Sequence, residues 1–287
     1  MGELIVTYDL IVPSASRPHL LAPTLQSILT YVDLPPARLL VHDDAAFPGR
    51  QAAVVEVIAQ IGKTFNLPTV VGLHDPPVRH GPALHWLLSR TDTEFVLYAQ
   101  DDGRVLRSLP IRAALSVMRD HDLHQIRFNK RPTMGAKPGF VKREYQFAMP
   151  DGSVTLTTAD HWYFQLGLWR VARIRPIVDW WMTYSDAFNE HCEIKVNRAM
   201  NREVADINGL VEHGPPDSPW RQYALPATAA EAMDPDVRAR VQRTFIWGPI
   251  GEDKFFQVLG TDAADWALPR PRGGHGPIGV DTQASER

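Results

Sequence analysis

The chain has 287 residues, 44% hydrophobic and 22% charged, a balance usual for folded globular chains and enough for one large domain or two small ones. Its 30 basic and 33 acidic residues leave a net charge of -3, so no global basic field marks it as a nucleic-acid binder. A single cysteine, Cys192, excludes an intrachain disulfide and a cysteine-built zinc site, and no apolar run approaches the roughly 20 residues that span a bilayer.

Glu3 and Asp9 stand where a secretory leader would be basic, so a cytoplasmic, reducing location is expected. The run Leu4 to Val12 is rich in β-formers and ends in a loop of small residues, Pro13-Ser14-Ala15-Ser16-Arg17-Pro18. Leu20, Leu21, Leu25, Ile28, Leu29 and Val32 recur at helical spacing before Pro35-Pro36. Leu39-Leu40-Val41 predicts a short strand that ends in His42-Asp43-Asp44. Val54, Val55, Ile58 and Ile61 mark a second helix, Pro68 to Leu73 a third strand, and Gly81 to Leu88 a third helix.

Glu94-Phe95-Val96-Leu97-Tyr98-Ala99 predicts a buried strand running straight into Gln100-Asp101-Asp102-Gly103. Adjacent carboxylates repel, and a hard divalent cation is one way to compensate them. Asp-Asp-Gly is also ordinary turn chemistry. Strand and helix alternate four times over this stretch, which predicts a mostly parallel sheet with helices on both faces. Ligands bind such sheets beyond the carboxyl ends of the strands.

A helix is expected over Leu109 to Met118 and a strand over Gln125 to Phe128; thereafter the rhythm changes. Lys130 to Lys142 reads as a basic, Gly- and Pro-containing loop, the one feature suited to a polyanion. Arg143 to Thr157 predicts a hairpin turning at Pro150-Asp151-Gly152. Trp162, Tyr163, Phe164, Trp169, Trp180 and Trp181 offer a sugar or base platform, although core packing accounts better for most of them. A helix is expected over Ser185 to Met200, a strand over Val204 to Val211, a short helix around Asp236 to Phe245, and a tail from Pro269.

Four segments, in order, resemble the GT-A glycosyltransferases, especially the family 2-like members. Ile11 to Pro18 resembles the first strand and its "IPTYNRP" loop, with Leu25-Gln26-Ser27-Ile28-Leu29 matching the helix that follows. Leu40-Val41-His42-Asp43-Asp44-Ala45 resembles the "VVDDGS" segment, and Arg79 to Leu84 the short basic-glycine loop and helix. Tyr98-Ala99-Gln100-Asp101-Asp102 is similar to the "D-x-D" strand end, with Gln100 in place of the first carboxylate. Ala15-Ser16 stands where the family has tyrosine-asparagine.

The resemblance implies an α/β, GT-A-like fold with a smaller acceptor-side β/α region. It implies a domain over residues 1–215, divided into a nucleotide-sugar half (1–110) and an acceptor half (111–215), followed by a C-terminal extension (216–287). It implies a metal-dependent glycosyltransferase using Mn²⁺ or Mg²⁺ and a nucleotide-sugar donor, a UDP-sugar being the family's common choice. Pro13, Ser14, Ser16, Arg17, Asp43, Asp44, Arg79 and Asp101 would line the donor site, and Asp102 would hold the metal. His213, in a segment similar to the family's "LVEHIG", would complete the metal shell.

An inverting transfer also needs a base for the acceptor hydroxyl. Asp186, Glu190, Glu193 and Asn197 share one face of the helix expected after Ser185, and spacing alone favours a solvated surface. The resemblance favours Glu190 as the base, with Asp186 and Glu193 behind it. The acceptor is left open among a glycan, a protein, a small molecule and a modified nucleic-acid base. Two other classes compete: a nucleotidyltransferase on a similar scaffold, and a non-catalytic nucleotide- or glycan-binding protein that kept the fold.

Overall fold

The computed structural model describes residues 6–47, 49–74, 80–133, 136–137, 140–159, 164–184 and 243–259. The first half of the fold alternates strand and helix: β1 (Tyr8–Ser14), α1 (Pro18–Tyr31), β2 (Arg38–Asp43), α2 (Gln51–Phe65), β3 (Thr69–Leu73), α3 (His80–Ser89) and β4 (Phe95–Tyr98). Then come β5 (Gly103–Val105), α4 (Ile111–Asp120), β6 (Gln125–Arg127), and a small ribbon of β7 (Ala136–Lys137) and β8 (Phe140–Val141). The hairpin β9 (Glu144–Met149) and β10 (Gly152–Thr158) leads to β11 (Gly167–Arg170) and α5 (Val171–Tyr184). Two late strands, β12 (Thr244–Trp247) and β13 (Phe256–Val258), complete the described elements.

Nine strands form one sheet in the order β3-β2-β1-β4-β11-β6-β12-β10-β9. The first four are wholly parallel, and only β11 and β10 run against the other seven, so the sheet is mostly parallel as expected. Alternate side chains of each central strand enter different layers. Leu10, Val12, Leu39, Val41 and Leu97 pack with Leu25 of α1, Ile58 of α2 and Leu115 of α4. Ile11, Leu40, Val96 and Tyr98 turn the other way, against Leu87 of α3 and Ile174 of α5. Helices on both faces leave the strand ends as the place where polar chemistry is exposed.

Local chemistry accounts for the boundaries. α1 begins at Pro18, whose fixed φ suits the first helical position. α2 stops at Asn66, which takes the left-handed conformation (φ 49°) common at helix ends. β1 carries Pro13 inside a central strand without losing a ladder bond. Ile11 O accepts from Ala99 N on the β4 side, and Pro13, two residues on, turns its nitrogen the same way, past the last residue that β4 pairs.

Several elements differ from the sequence expectation. β1 runs through Ser14 rather than stopping near Val12, because it continues to pair with His42 and Asp43 of β2. The basic loop contains the β7–β8 ribbon, and within it Lys142 is buried, so its ammonium is not on offer to a polyanion. Thr244 and Phe245, expected at the end of a helix, open β12, which slots between β6 and β10. That strand comes from beyond residue 215 and is part of the central sheet. Phe164 and Trp169 are core residues, Trp169 stacking on Tyr98 at 4.2 Å between centroids. The helix expected over 185–200 and the strand over 204–211 lie outside the described residues, as do Trp162 and Tyr163.

Candidate active site

The chain leaves β1 in one direction along the sheet, to β2 and β3, and returns on its other side as β4. β1 and β4 are therefore neighbours whose following connections diverge, the topological switch point at which open α/β sheets bind ligands. The segments that emerge there are Ala15-Ser16-Arg17 and Ala99-Gln100-Asp101-Asp102, with His42-Asp43-Asp44 beside them at the end of β2.

These three strand ends are tied together by hydrogen bonds. Asp44 N donates to Ser14 O at 2.9 Å. Asp43 Oδ1 accepts the Ser16 amide and hydroxyl, each at 2.8 Å, and Oδ2 lies 3.0 Å from the same hydroxyl. Ser16 and Ala45 both hold positive φ, 55° and 57°, which is uncommon away from glycine and typical of functional loops. Asp43 thus fixes the shape of the first loop rather than facing outward. Burial pushes its carboxyl above the usual range, and the Ser16 bonds pull it back only in part.

Arg17 crosses from the first loop to the fourth strand end. Its Nη2 contacts Asp101 Oδ1, its Nε lies 3.3 Å from Asp101 Oδ2, and Nη2 also lies 3.3 Å from Asp102 Oδ2. Asp101 Oδ2 takes the Ala15 amide at 2.9 Å as well, and Thr24 Oγ1 donates to Asp101 O at 3.0 Å. Asp101 is almost fully enclosed, whereas Asp102 keeps a partly exposed carboxylate. Burial opposes the Arg17 charge, but Asp101 and Asp102 outweigh it and hold the guanidinium above even the ordinary arginine range.

Of the four carboxylates, Asp101 and Asp102 pair with Arg17, while Asp43 accepts from Ser16 and Asp44 from the Ala46 amide. Burial pushes Asp44 up to about 8, with the charges of Asp101 and Asp43 adding to it. Burial and then the Asp101 charge push Asp102 up to about 6. Carboxyl groups that resist ionising together in a half-enclosed crevice are suited to a divalent cation bound by few protein oxygens and completed by a ligand's phosphates. The donor set fits: Asp102 meets Arg17 through Oδ2, and hard carboxylate oxygens suit Mg²⁺ or Mn²⁺. Among the described residues no three histidine, cysteine or carboxylate side chains gather into a metal cage, so Asp102 would act with ligand oxygens.

Of the expected site residues, the structure brings together Pro13, Ser14, Ser16, Arg17, Asp43, Asp44, Asp101 and Asp102 at adjoining strand ends. Ser14 Oγ is buried and finds no hydrogen-bond partner among the described residues. His80 bonds Tyr98 Oη at 3.2 Å and meets Phe164 edge-on, a packing role. Arg79, Asp186, Glu190, Glu193 and His213 lie outside the described residues.

Two supports stand outside the sequence expectation: Thr24, which holds the Asp101 carbonyl from the second turn of α1, and β13. The latter pairs with β5, and Leu259 N donates to Asp102 O at 2.5 Å, clamping the acidic turn from a distant part of the chain. Gln100, Gln165 and Phe256 line a small cleft with Asp102. Thr24 had a legible signal, an inward polar residue on an otherwise apolar helix face.

No protein-family model and no curated protein matches the sequence. Among solved structures the chain is similar to residues 1–349 of S. aureus TarS, at 13% identity and a TM-score of 0.47, covering 88% of this chain and 60% of that one. It is similar to the mannosyltransferase PcManGT of Pyrobaculum calidifontis, in complex with GDP-Man and Mn²⁺, at 21% identity and a TM-score of 0.37, covering 44% and 36%. A third is 4-diphosphocytidyl-2C-methyl-D-erythritol synthase of Anaerococcus prevotii, at 10% identity and a TM-score of 0.39, covering 66% and 81%. The chain thus spans less than two thirds of the length of the first two. Among the described residues no helix is long and apolar enough to cross a membrane.

Proposed function

We propose that the chain is a nucleotide-sugar-dependent glycosyltransferase of the GT-A kind, assisted by Mn²⁺ or Mg²⁺. The observation that carries this is the convergence of Asp43, Asp44, Arg17, Asp101 and Asp102 at the switch point between β1 and β4. The order of motifs in the sequence supports the same reading.

In this mechanism Asp43 holds the first loop in its left-handed turn beside the donor site. Asp44, at the mouth of β2, contacts the nucleobase or ribose. Asp101 and Thr24 fix the acidic turn, and Asp102 supplies the protein oxygen for the cation. When bound, a divalent ion neutralises charge that develops on the departing diphosphate. Arg17, which reaches Asp102, would assist at the same phosphates. Glu190 is assigned as the base that takes the acceptor hydroxyl's proton, with Asp186 and Glu193 as alternatives, and His213 as a further metal ligand. A UDP-sugar is the proposed donor, and the acceptor is a hydroxyl compound.

A nucleotidyltransferase is the second reading. The first loop, Pro13 to Pro18, has no glycine with which to wrap a triphosphate, and this favours the transferase of sugars. Incubation with labelled nucleotide sugars, with and without Mn²⁺, tests the proposal. Metal-dependent release of the sugar from one donor is the expected result. Turnover of a nucleoside triphosphate to pyrophosphate instead, or binding without turnover of any donor, would assign the chain to one of the other two classes.

A further inference from the structure

Two neighbouring carboxylates call for a positive charge between them, and the structure supplies one from the chain itself. Arg17 Nη2 is shared between Asp101 Oδ1 and Asp102 Oδ2, and the guanidinium is buried. Asp101 is saturated: both oxygens face Arg17, and Oδ2 also takes the Ala15 amide. Asp102 is not, because it meets Arg17 at 3.3 Å and keeps a partly exposed carboxylate. The pair therefore has a fixed half and a loose half.

We infer that Arg17 is a displaceable counter-ion for Asp102, which keeps a lone divalent cation out of the site and admits it only together with a nucleoside diphosphate. The inference rests on the metal-assisted reading given above. Asp101, Asp102 and Arg17 together carry one net negative charge. A bare Mn²⁺ arriving at Asp102 would sit within a few ångströms of a guanidinium in a poorly screened crevice, where like charges repel strongly. A diphosphate reverses this balance. Its oxygens complete the cation's shell and give Nη2 a new acceptor, while Nε stays anchored on Asp101. Arg17 thus needs only to shift its fork from Asp102 to a phosphate, without leaving Asp101. Cation and nucleotide then each raise the other's affinity by the same factor, as linkage requires.

The test is Mn²⁺ binding followed by the electron paramagnetic resonance of the free ion, in the absence and presence of UDP and of GDP. Wild-type protein should bind Mn²⁺ alone weakly, and about 100-fold or more tightly with the preferred diphosphate, after correction for Mn²⁺ held by the free nucleotide. Arg17→Gln should bind Mn²⁺ alone at least about tenfold more tightly than wild type, while its gain from the nucleotide shrinks. Arg17→Lys keeps the charge but cannot span both carboxylates, and should fall between the two. Circular dichroism and thermal unfolding check that each variant folds.

If folded Arg17→Gln binds Mn²⁺ alone no better than wild type, the counter-ion role is wrong while the metal-assisted reading stands. If wild type binds no Mn²⁺ even with either diphosphate, both are overturned. Should neither variant fold, wild type decides alone: equal Mn²⁺ affinity with and without nucleotide overturns the inference.

Discussion

Ser16 and Asp43 lock the ends of β1 and β2 together, the serine donating both its amide and its hydroxyl to one buried carboxylate from a left-handed backbone. Removing the hydroxyl leaves Asp43 short of a donor and keeps the backbone strain. Ser16→Ala should therefore lower stability by about 1–3 kcal/mol. Ser16→Gly also loses the hydroxyl but relieves the positive φ, so it should lose less. Denaturant unfolding of the donor-free protein compares them, and a glycine variant less stable than the alanine one would contradict this account.

Asp102 stands at the strand mouth with little packing to lose. Asp102→Asn should leave the fold intact and abolish the Mn²⁺-dependent part of nucleotide-sugar affinity, read by calorimetry with and without the ion. Unchanged Mn²⁺-dependent affinity would remove Asp102 from the metal site.

The pH dependence of stability follows from three shifted groups, two raised and one lowered. Asp44 is raised to about 8 by burial, so the folded chain holds a proton that the unfolded chain releases near 4. Its contribution is fully present below that pH and is lost as pH rises toward 8. His42 is lowered to about 4 by burial and by His74, so its contribution is present above 6.5 and lost as pH falls. Asp102, raised to about 6, acts with Asp44 below that pH. Between pH 6.5 and 8 only Asp44 of these three is still titrating in the fold. The donor-free protein should lose stability over that window, by no more than about 1.4 kcal/mol per pH unit. In Asp44→Asn the fall should vanish; a fall of the same size in that variant would show another group to be responsible.

Gly72 sits in β3 where a Cβ would lie 2.7 Å from His42 Cδ2 and 2.8 Å from the Trp86 ring. His42 is fully buried against His74 and Trp86, with ring centroids 5.1 and 5.2 Å away, so it cannot step aside. Gly72→Ala should cost about 1–3 kcal/mol by overpacking, and Gly72→Ala with Trp86→Leu should recover part of it. Thermal unfolding of the single and double variants measures the coupling.

For the acceptor step, Glu190→Gln keeps shape and removes the proton-accepting charge. General-base help is worth about 10²- to 10⁴-fold, so kcat should fall by that order with donor affinity nearly unchanged. Full activity in Glu190→Gln with loss in Asp186→Asn or Glu193→Gln would move the base to one of those two residues. Activity in all three would make the acidic stripe a wetted surface.

By itself the sequence determined the α/β class and the positions of β2, β3, α1 to α4 and the β9–β10 hairpin. Those are local matters: apolar periodicity, proline and glycine punctuation, and acidic pairs that end two apolar runs. It also put Asp43, Asp44, Asp101 and Asp102 at strand ends, because a carboxylate that follows a buried strand must stop where the strand meets water. Only the tertiary structure decided what neutralises them. Arg17 and Asp101 are separated by 84 positions, and no pattern within either segment says that β1 and β4 will be neighbours. The same holds for Thr24 beneath Asp101, for β12 between β6 and β10, and for β13 over the acidic turn. The short strands β5, β11, β12 and β13 carry too little periodicity to be recognised alone; they exist because partner strands satisfy their backbone groups. Asp43 shows the same division. Its place at a strand end was legible, but that it spends both oxygens on Ser16 was settled by the close approach of two loops, a distance no sequence spacing encodes.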